Sequence, residues 1–285
     1  MPKRIVYCHC AYSELIPRAL RRRVLGGLLA ADVELVTVPD LCGLAARKDP
    51  LLAELAEGGA TIVACHPRAV RALFDAAGCP LPEEGGELLN MKGQTAEDIL
   101  AAAVGAVPEG NDAAVDAAID DILGRKDAWL PWFPAIDRDR CRNCRQCLNF
   151  CLFGVFALDG KRVVVQSPEK CKTYCPACSR VCPDVAIIFP KFKDRPIDGD
   201  VVTDADLQGE KVGVQVKDVI KGDVYATLRE RGRKRFSPDR DAALAERRRC
   251  VERTRLQEKL DIPDDVLDSV LGPRERPDSK EQNRD

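Results

Sequence analysis

The chain has 285 residues, with 44 Lys/Arg against 46 Asp/Glu, 14 Cys and 2 His, and a formal net charge of −2. That length accommodates more than one domain, and no uninterrupted apolar stretch approaches the ~20 residues that cross a bilayer as a helix. A near-neutral chain with no recognisable nucleic-acid-binding motif also argues against a nucleic-acid partner.

The amino-terminal part, residues 1–127, reads as an alternation of strands and helices. Met1-Pro2-Lys3-Arg4 leads straight into a strand, Ile5-Val6-Tyr7, with no apolar export segment. Abundant cysteine in such a chain points to metal or cluster chemistry in a reducing, cytoplasmic setting rather than to disulfides. A helix over 14–29 follows, with two interior glycines, then a strand over 33–38 and a helix over 50–57. Residues 60–64 form a third strand, and 67–77 a third helix ended by Gly78. Strand–helix–strand repetition implies parallel strands joined by crossover helices, an α/β domain of the flavodoxin-like or Rossmann-like kind.

This alternation places cysteines together. Cys8 and Cys10 follow the first strand, Cys42 lies just past the second, and Cys65 ends the third. The carboxyl ends of parallel strands share one edge, where such sheets bind ligands. Four thiols from three segments therefore converge there, with both histidines, His9 and His66, next to them in sequence. The expectation is a third metal site on Cys8, Cys10, Cys42 and Cys65, holding a 4Fe–4S cluster or zinc; the alternative is a set of reduced structural thiols. Cys79 is a reserve ligand, and Cys250 is expected to be unligated. A helical stretch over 95–123, broken near Pro108-Glu109-Gly110, leads to a linker over 128–140. Its Trp129-Leu130-Pro131-Trp132-Phe133-Pro134 suits a join that packs against both neighbours.

Eight cysteines then fall in two runs, Cys141-x2-Cys144-x2-Cys147-x3-Cys151 and Cys171-x3-Cys175-x2-Cys178-x3-Cys182-Pro183. A cubane iron–sulfur cluster needs four converging thiolates, of which a tight three-cysteine loop supplies three and the other run the fourth. Cys141, Cys144, Cys147 and Cys182 are thus expected to hold one 4Fe–4S cluster, and Cys151, Cys171, Cys175 and Cys178 the other. Structural zinc would use paired C-x2-C knuckles instead. Residues 141–183 resemble the bacterial two-cluster ferredoxins, with an α+β fold expected over 141–199. Two departures are Leu152, where proline is usual, and the three-residue gap Lys172-Thr173-Tyr174. Val155-Phe156-Ala157-Leu158 and 161–165 read as a hairpin around Asp159-Gly160, and 185–189 as a further strand pairing nearby.

Charge is segregated: residues 1–135 carry 13 Lys/Arg and 19 Asp/Glu, for −6, while 136–199 carry 12 and 7, for +5. A basic cluster domain can steer an acidic redox partner, although the cluster thiolates add negative charge that this count omits. The motifs Val6-Tyr7-Cys8-His9-Cys10, Leu41-Cys42, Val63-Ala64-Cys65-His66-Pro67-Arg68 and Leu89-Asn90-Met91-Lys92 resemble the amino-terminal domain of the flavin-bearing polypeptide of heterodisulfide reductase. That resemblance implies a place in a flavin- and cluster-based electron-transfer system, with a flavoprotein, a ferredoxin or oxidoreductase subunits as redox partners. No G-x-G-x-x-G turn for a flavin or nucleotide is present here. Residues 200–285 read as a charged extension, with a strand over 212–216, helices over 218–231 and 240–260, and a disordered end over 273–285.

The expected function is one-electron transfer between proteins, with no residue acting as acid, base or nucleophile. The alternatives are a cluster-dependent reductase with a catalytic metal site in the first domain, His9 or His66 donating protons, and a redox or iron sensor.

Overall fold

The computed structural model describes residues 3–82 and 86–207, together with individual positions between 244 and 255. The strand and helix expected over 212–231, the end over 273–285 and Cys250 lie outside the described residues.

Four parallel strands build the amino-terminal sheet: β1 (Arg4–Cys8), β2 (Glu34–Val38), β3 (Thr61–Ala64) and β4 (Leu88–Asn90), in the order β2-β1-β3-β4. β1 and β3 are buried almost throughout, as central strands covered on both faces must be, and both read as apolar runs. Crossover helices divide into two packed groups. α1 (Arg18–Leu29) packs with α5 (Ala96–Val104) and α6 (Asp112–Gly124); α2 (Leu41–Arg47) and α3 (Pro50–Glu57) pack with α4 (Pro67–Ala77). With right-handed crossovers, this strand order puts the two groups on opposite faces.

Helix ends follow local chemistry. Pro17 holds an extended ψ of 136°, so α1 starts at Arg18, four residues later than the sequence pattern suggests. Asp40 caps α2 by accepting from Gly43 N at 3.1 Å. Pro67 occupies the first turn of α4, and Gly78 closes it with φ at +88°, a conformation that costs glycine least. Thr95 and Asp98 form a reciprocal capping box on α5.

The second half of the chain is assembled from short pieces. β5 (Ala135–Ile136) pairs antiparallel with β8 (Ile187–Ile188), and β6 (Phe156–Asp159) forms a hairpin with β7 (Arg162–Val165) around Gly160. Between them lie α7 (Gln146–Phe150), a 3-10 turn at Pro168–Lys170 and α8 (Ala177–Arg180), and α9 (Asp204–Leu207) follows. Trp132 packs with Tyr174, Phe189 and Phe192, at centroid distances of 5.2, 5.4 and 6.4 Å. Phe133 joins the core of the sheet domain, whereas Trp132 joins the second core. The aromatic join is therefore buried on both sides, each full side-chain burial contributing about 1.5–3 kcal/mol.

Candidate functional site

The strand order places a topological switch point between β1 and β3, because the chain leaves β1 toward β2 and then returns across the sheet to β3. Cys8 ends β1, and Cys65 follows β3 directly. Cys10 turns the chain with φ at +52°, a left-handed conformation unusual for a residue with a side chain. Cys42 enters from the first turn of α2. All four are buried, and together they line one cavity with Asp40, Lys92 and Lys191. The sulfurs of Cys8 and Cys10 are 3.5 Å apart, and Leu41 N donates to Cys8 Sγ at 3.4 Å.

Lys92 belongs to the motif Leu89-Asn90-Met91-Lys92, whereas Lys191 carries no signal in the sequence. Lys191 follows β8, 151 residues beyond Asp40, yet its Nζ lies 2.9 Å from Asp40 Oδ1 with both side chains buried. It also bonds to Cys42. Burial disfavours the charged form of this lysine, but the carboxylate of Asp40 outweighs burial and keeps it an ammonium. Lys92 Nζ donates to Asp198 Oδ2 at 3.0 Å and to Pro190 O at 3.3 Å. Burial raises the Cys42 and Cys65 thiols, the latter to about 12, while Lys191 pulls both the other way; the Cys10 thiol is raised by its hydrogen bond with Cys8 and then by burial. The pocket thus combines four thiols with two fixed cations, each paired with a carboxylate, which would offset thiolate charge if a metal displaced the protons.

Neither histidine lines this cavity. His66 is held between Asn90, whose amide nitrogen is 3.2 Å from Nδ1, and Asp198, whose Oδ2 is 2.8 Å from Nε2. With Asn90 donating to Nδ1, the ring donates from Nε2. His9 Nδ1 lies 3.2 Å from the Tyr7 hydroxyl, which itself donates to Arg21 O. Burial, aided by Arg21, lowers the His9 pKa to about 4. The proton-donor role considered for these rings therefore finds both turned to structural partners.

In the second half, left-handed residues wind the cysteine loops: Asn143 and Arg145 flank Cys144, Tyr174 precedes Cys175, and Val185 follows Cys182 by three. Such strain, about 1–3 kcal/mol per residue, persists where surrounding contacts enforce it. Asn143 Oδ1 accepts from Val163 N at 3.0 Å, Asp137 Oδ1 accepts from the Asp139 and Arg140 amides, and Ala186 N donates to Cys182 Sγ at 3.3 Å. Arg68, at the start of α4, reaches across to Asp137 Oδ2 at 2.6 Å and to the carbonyls of Val185, Pro196 and Asp200.

The buried thiols of the two runs perturb one another. Burial pushes Cys147 up to about 12, with further contributions from Cys182, Cys141 and Cys144. Cys178 is raised by burial and then by Cys171 and Cys151, ahead of Cys147 and Cys182. Cys151, Cys171, Cys175 and Cys178 line a single cavity walled by Phe150, Phe153 and Phe156. Cys144 is exposed, while Cys147 and Cys178 are buried. Cys79 stands apart from both cysteine cavities, its thiol 3.6 Å from Phe74 O.

Among the described residues, no three His, Cys, Asp or Glu side chains converge closely enough for a single metal ion. A mononuclear zinc site requires that convergence, whereas a cubane takes each thiolate on a different iron. The thiol-only donor sets and the buried Arg247 Nε, which lines the Cys178 cavity and has no hydrogen-bond partner among the described residues, fit a sulfur-rich group there.

Two four-cysteine runs around short helices and a small hairpin have the makeup of a ferredoxin-type iron–sulfur domain. Over 71 residues, 25% of this chain, it is 44% identical to an uncharacterized ferredoxin of Methanocaldococcus jannaschii, of which 48% is covered. Over 54 residues it is 43% identical to a second uncharacterized ferredoxin of that organism and to a ferredoxin of Methanothermococcus thermolithotrophicus, covering 86% and 88% of them. The chain belongs to the ferredoxin family and carries a ferredoxin-type domain, while spanning about half the length of the first of these relatives. No family model matches the chain. No solved structure matches it either.

Proposed function

We propose that this protein relays single electrons between protein redox partners through two 4Fe–4S clusters, one on Cys141, Cys144, Cys147 and Cys182, the other on Cys151, Cys171, Cys175 and Cys178. A third set, Cys8, Cys10, Cys42 and Cys65, holds a further cluster in the α/β domain. The observation that supports this reading is the cavity that Cys151, from the first run, shares with Cys171, Cys175 and Cys178 of the second. When bound, such clusters accept and release one electron at a time. The chain's own part is to hold the thiolates in place, to exclude water with Phe150, Phe153 and Phe156, and to aim N–H donors at sulfur, as Ala186 does at Cys182 and Leu41 at Cys8.

We assign the α/β domain to residues 1–127, the join to 128–140, the dicluster domain to 141–199 and the extension to 200–285. Lys191, from the dicluster domain, closes the cysteine pocket of the first, so the two share one buried site. That arrangement, with the motif resemblance to the flavin-bearing polypeptide of heterodisulfide reductase, supports a component of a larger redox assembly whose partners are flavoproteins, ferredoxins or oxidoreductase subunits. Among the described residues no helix is long and apolar enough to cross a membrane.

Iron, acid-labile sulfide and zinc per chain, measured on protein purified without oxygen, test the reading. About twelve iron and twelve sulfide establish three cubanes, and about eight of each confine the chemistry to the dicluster domain. Stoichiometric zinc with little iron, after failed reconstitution, would overturn it.

A further inference from the structure

Arg247 belongs to the carboxy-terminal region, where Leu244, Ala245, Arg247, Arg248, Val251 and Glu252 are helical. Its guanidinium carbon lies 4.9 Å from the centre of the Phe150 ring, a cation–π contact that anchors the side chain. It lines the cavity of Cys151, Cys171, Cys175 and Cys178. Every other residue lining that cavity is apolar or cysteine, so sulfur is the side-chain acceptor available within it. The Arg247 Nε is buried without a hydrogen-bond partner among the described residues. A charged donor left in that state keeps its full desolvation penalty, and buried donors in folded proteins find partners.

We propose that Arg247 donates from Nε to the sulfur-rich group held by these four cysteines. The proposal rests on the reading of Cys151, Cys171, Cys175 and Cys178 as cluster ligands. Its consequence is electrostatic. A cation with an N–H aimed at the cluster favours the more negative, reduced state, so Arg247 raises the potential of this cluster and leaves the other untouched. The Arg247 side chain also shields the cluster from small reagents. The extension, which in sequence reads as a solvated charged helix, thereby becomes part of the redox centre.

The test uses the full chain purified anaerobically, compared with Arg247→Ala, Arg247→Lys and Arg247→Gln. Iron and sulfide are counted, both midpoints are followed by paramagnetic resonance during titration with dithionite, and cluster loss to ferricyanide with EDTA is timed. Arg247→Ala is expected to keep the wild-type iron and to shift one cluster's reduction equilibrium about tenfold toward the oxidised state, ~59 mV for one electron. The other midpoint stays in place, and loss of the shifted cluster to the chelator quickens. The Lys variant retains charge without the planar fork, the Gln variant an N–H without charge, and both are expected to fall between. Unchanged midpoints at full iron, or equal shifts in both clusters, would overturn the proposal. If Arg247→Ala loses iron, the Lys and Gln variants decide by the same criterion. An otherwise wild-type chain in which Cys178→Ser removes no cluster would refute the ligand assignment instead, whatever Arg247 does.

Discussion

The Lys191 ammonium sits 2.9 Å from Oδ1 of Asp40, and the pair fastens the segment after β8 to the cysteine-bearing edge of the sheet. Both side chains are more than nine-tenths buried. Removing one partner of such a pair leaves the other charge uncompensated, which costs about 3–5 kcal/mol, whereas replacing both costs far less. Lys191→Met is therefore expected to lower the unfolding free energy by that amount in anaerobic urea titrations. Adding Asp40→Asn, which keeps a cap oxygen for Gly43 N, is expected to restore part of the loss. A single-variant cost below about 1 kcal/mol would show that the pair is solvated.

Arg68 acts as a strap at a second point of the same junction. Its guanidinium meets the buried Asp137 and three carbonyls, one from Val185 in the turn that presents Ala186 N to Cys182. Arg68→Ala strands Asp137 and frees that turn. The expected result is a stability loss of about 3–5 kcal/mol and weaker retention of the cluster that includes Cys182. Arg68→Lys keeps the charge but not the fork, and falls between. Iron per chain after gel filtration, read beside a thermal melt, checks both effects.

The proposed crossed ligation makes a prediction independent of stability. Cys144→Ser and Cys182→Ser should remove the same paramagnetic signal although 38 positions separate them, and Cys178→Ser should remove the other although it lies only four from Cys182. Each loss corresponds to about four iron. If Cys178→Ser and Cys182→Ser instead abolish one common signal, ligation follows the runs and does not cross.

What could be read beforehand divides by range. β1, β3, α3 and α4 follow apolar runs with Pro and Gly at their ends, signals that act over a few residues. β4 escaped notice because Leu88-Leu89-Asn90 has three residues and none is β-branched. α2 escaped because its seven residues follow so soon after β2 that Cys42 read as loop. The convergence of Cys8, Cys10, Cys42 and Cys65 was legible, since parallel topology dictates which strand ends meet. The pairings of Lys191 with Asp40 and of Lys92 with Asp198 were not: the partners lie more than a hundred residues apart, and Lys191, beside Pro190, looks like any surface lysine. The same holds for Arg247, whose neighbours in sequence are charged and whose contact is the Phe150 ring.

The last prediction concerns how α1 and α6 come together. Gly110 precedes α6 and lies against the backbone of Gly26, so close that a Cβ on residue 110 would sit 2.5 Å from Gly26 Cα. Backbone cannot swing aside as a side-chain tip can, so Gly110→Ala must push the start of α6 off α1. The cost of such overpacking is about 1–3 kcal/mol. Gly124, the final residue of α6, faces open space, and alanine there removes a poor helix former at no steric cost. Gly124→Ala is expected to stabilise by up to about 1 kcal/mol. Thermal melts of the two variants should thus move in opposite directions, both with wild-type iron content, because neither residue touches a cysteine cavity. A neutral Gly110→Ala would mean that the two helices stand further apart in solution, and that the glycines of α1 serve something other than close approach.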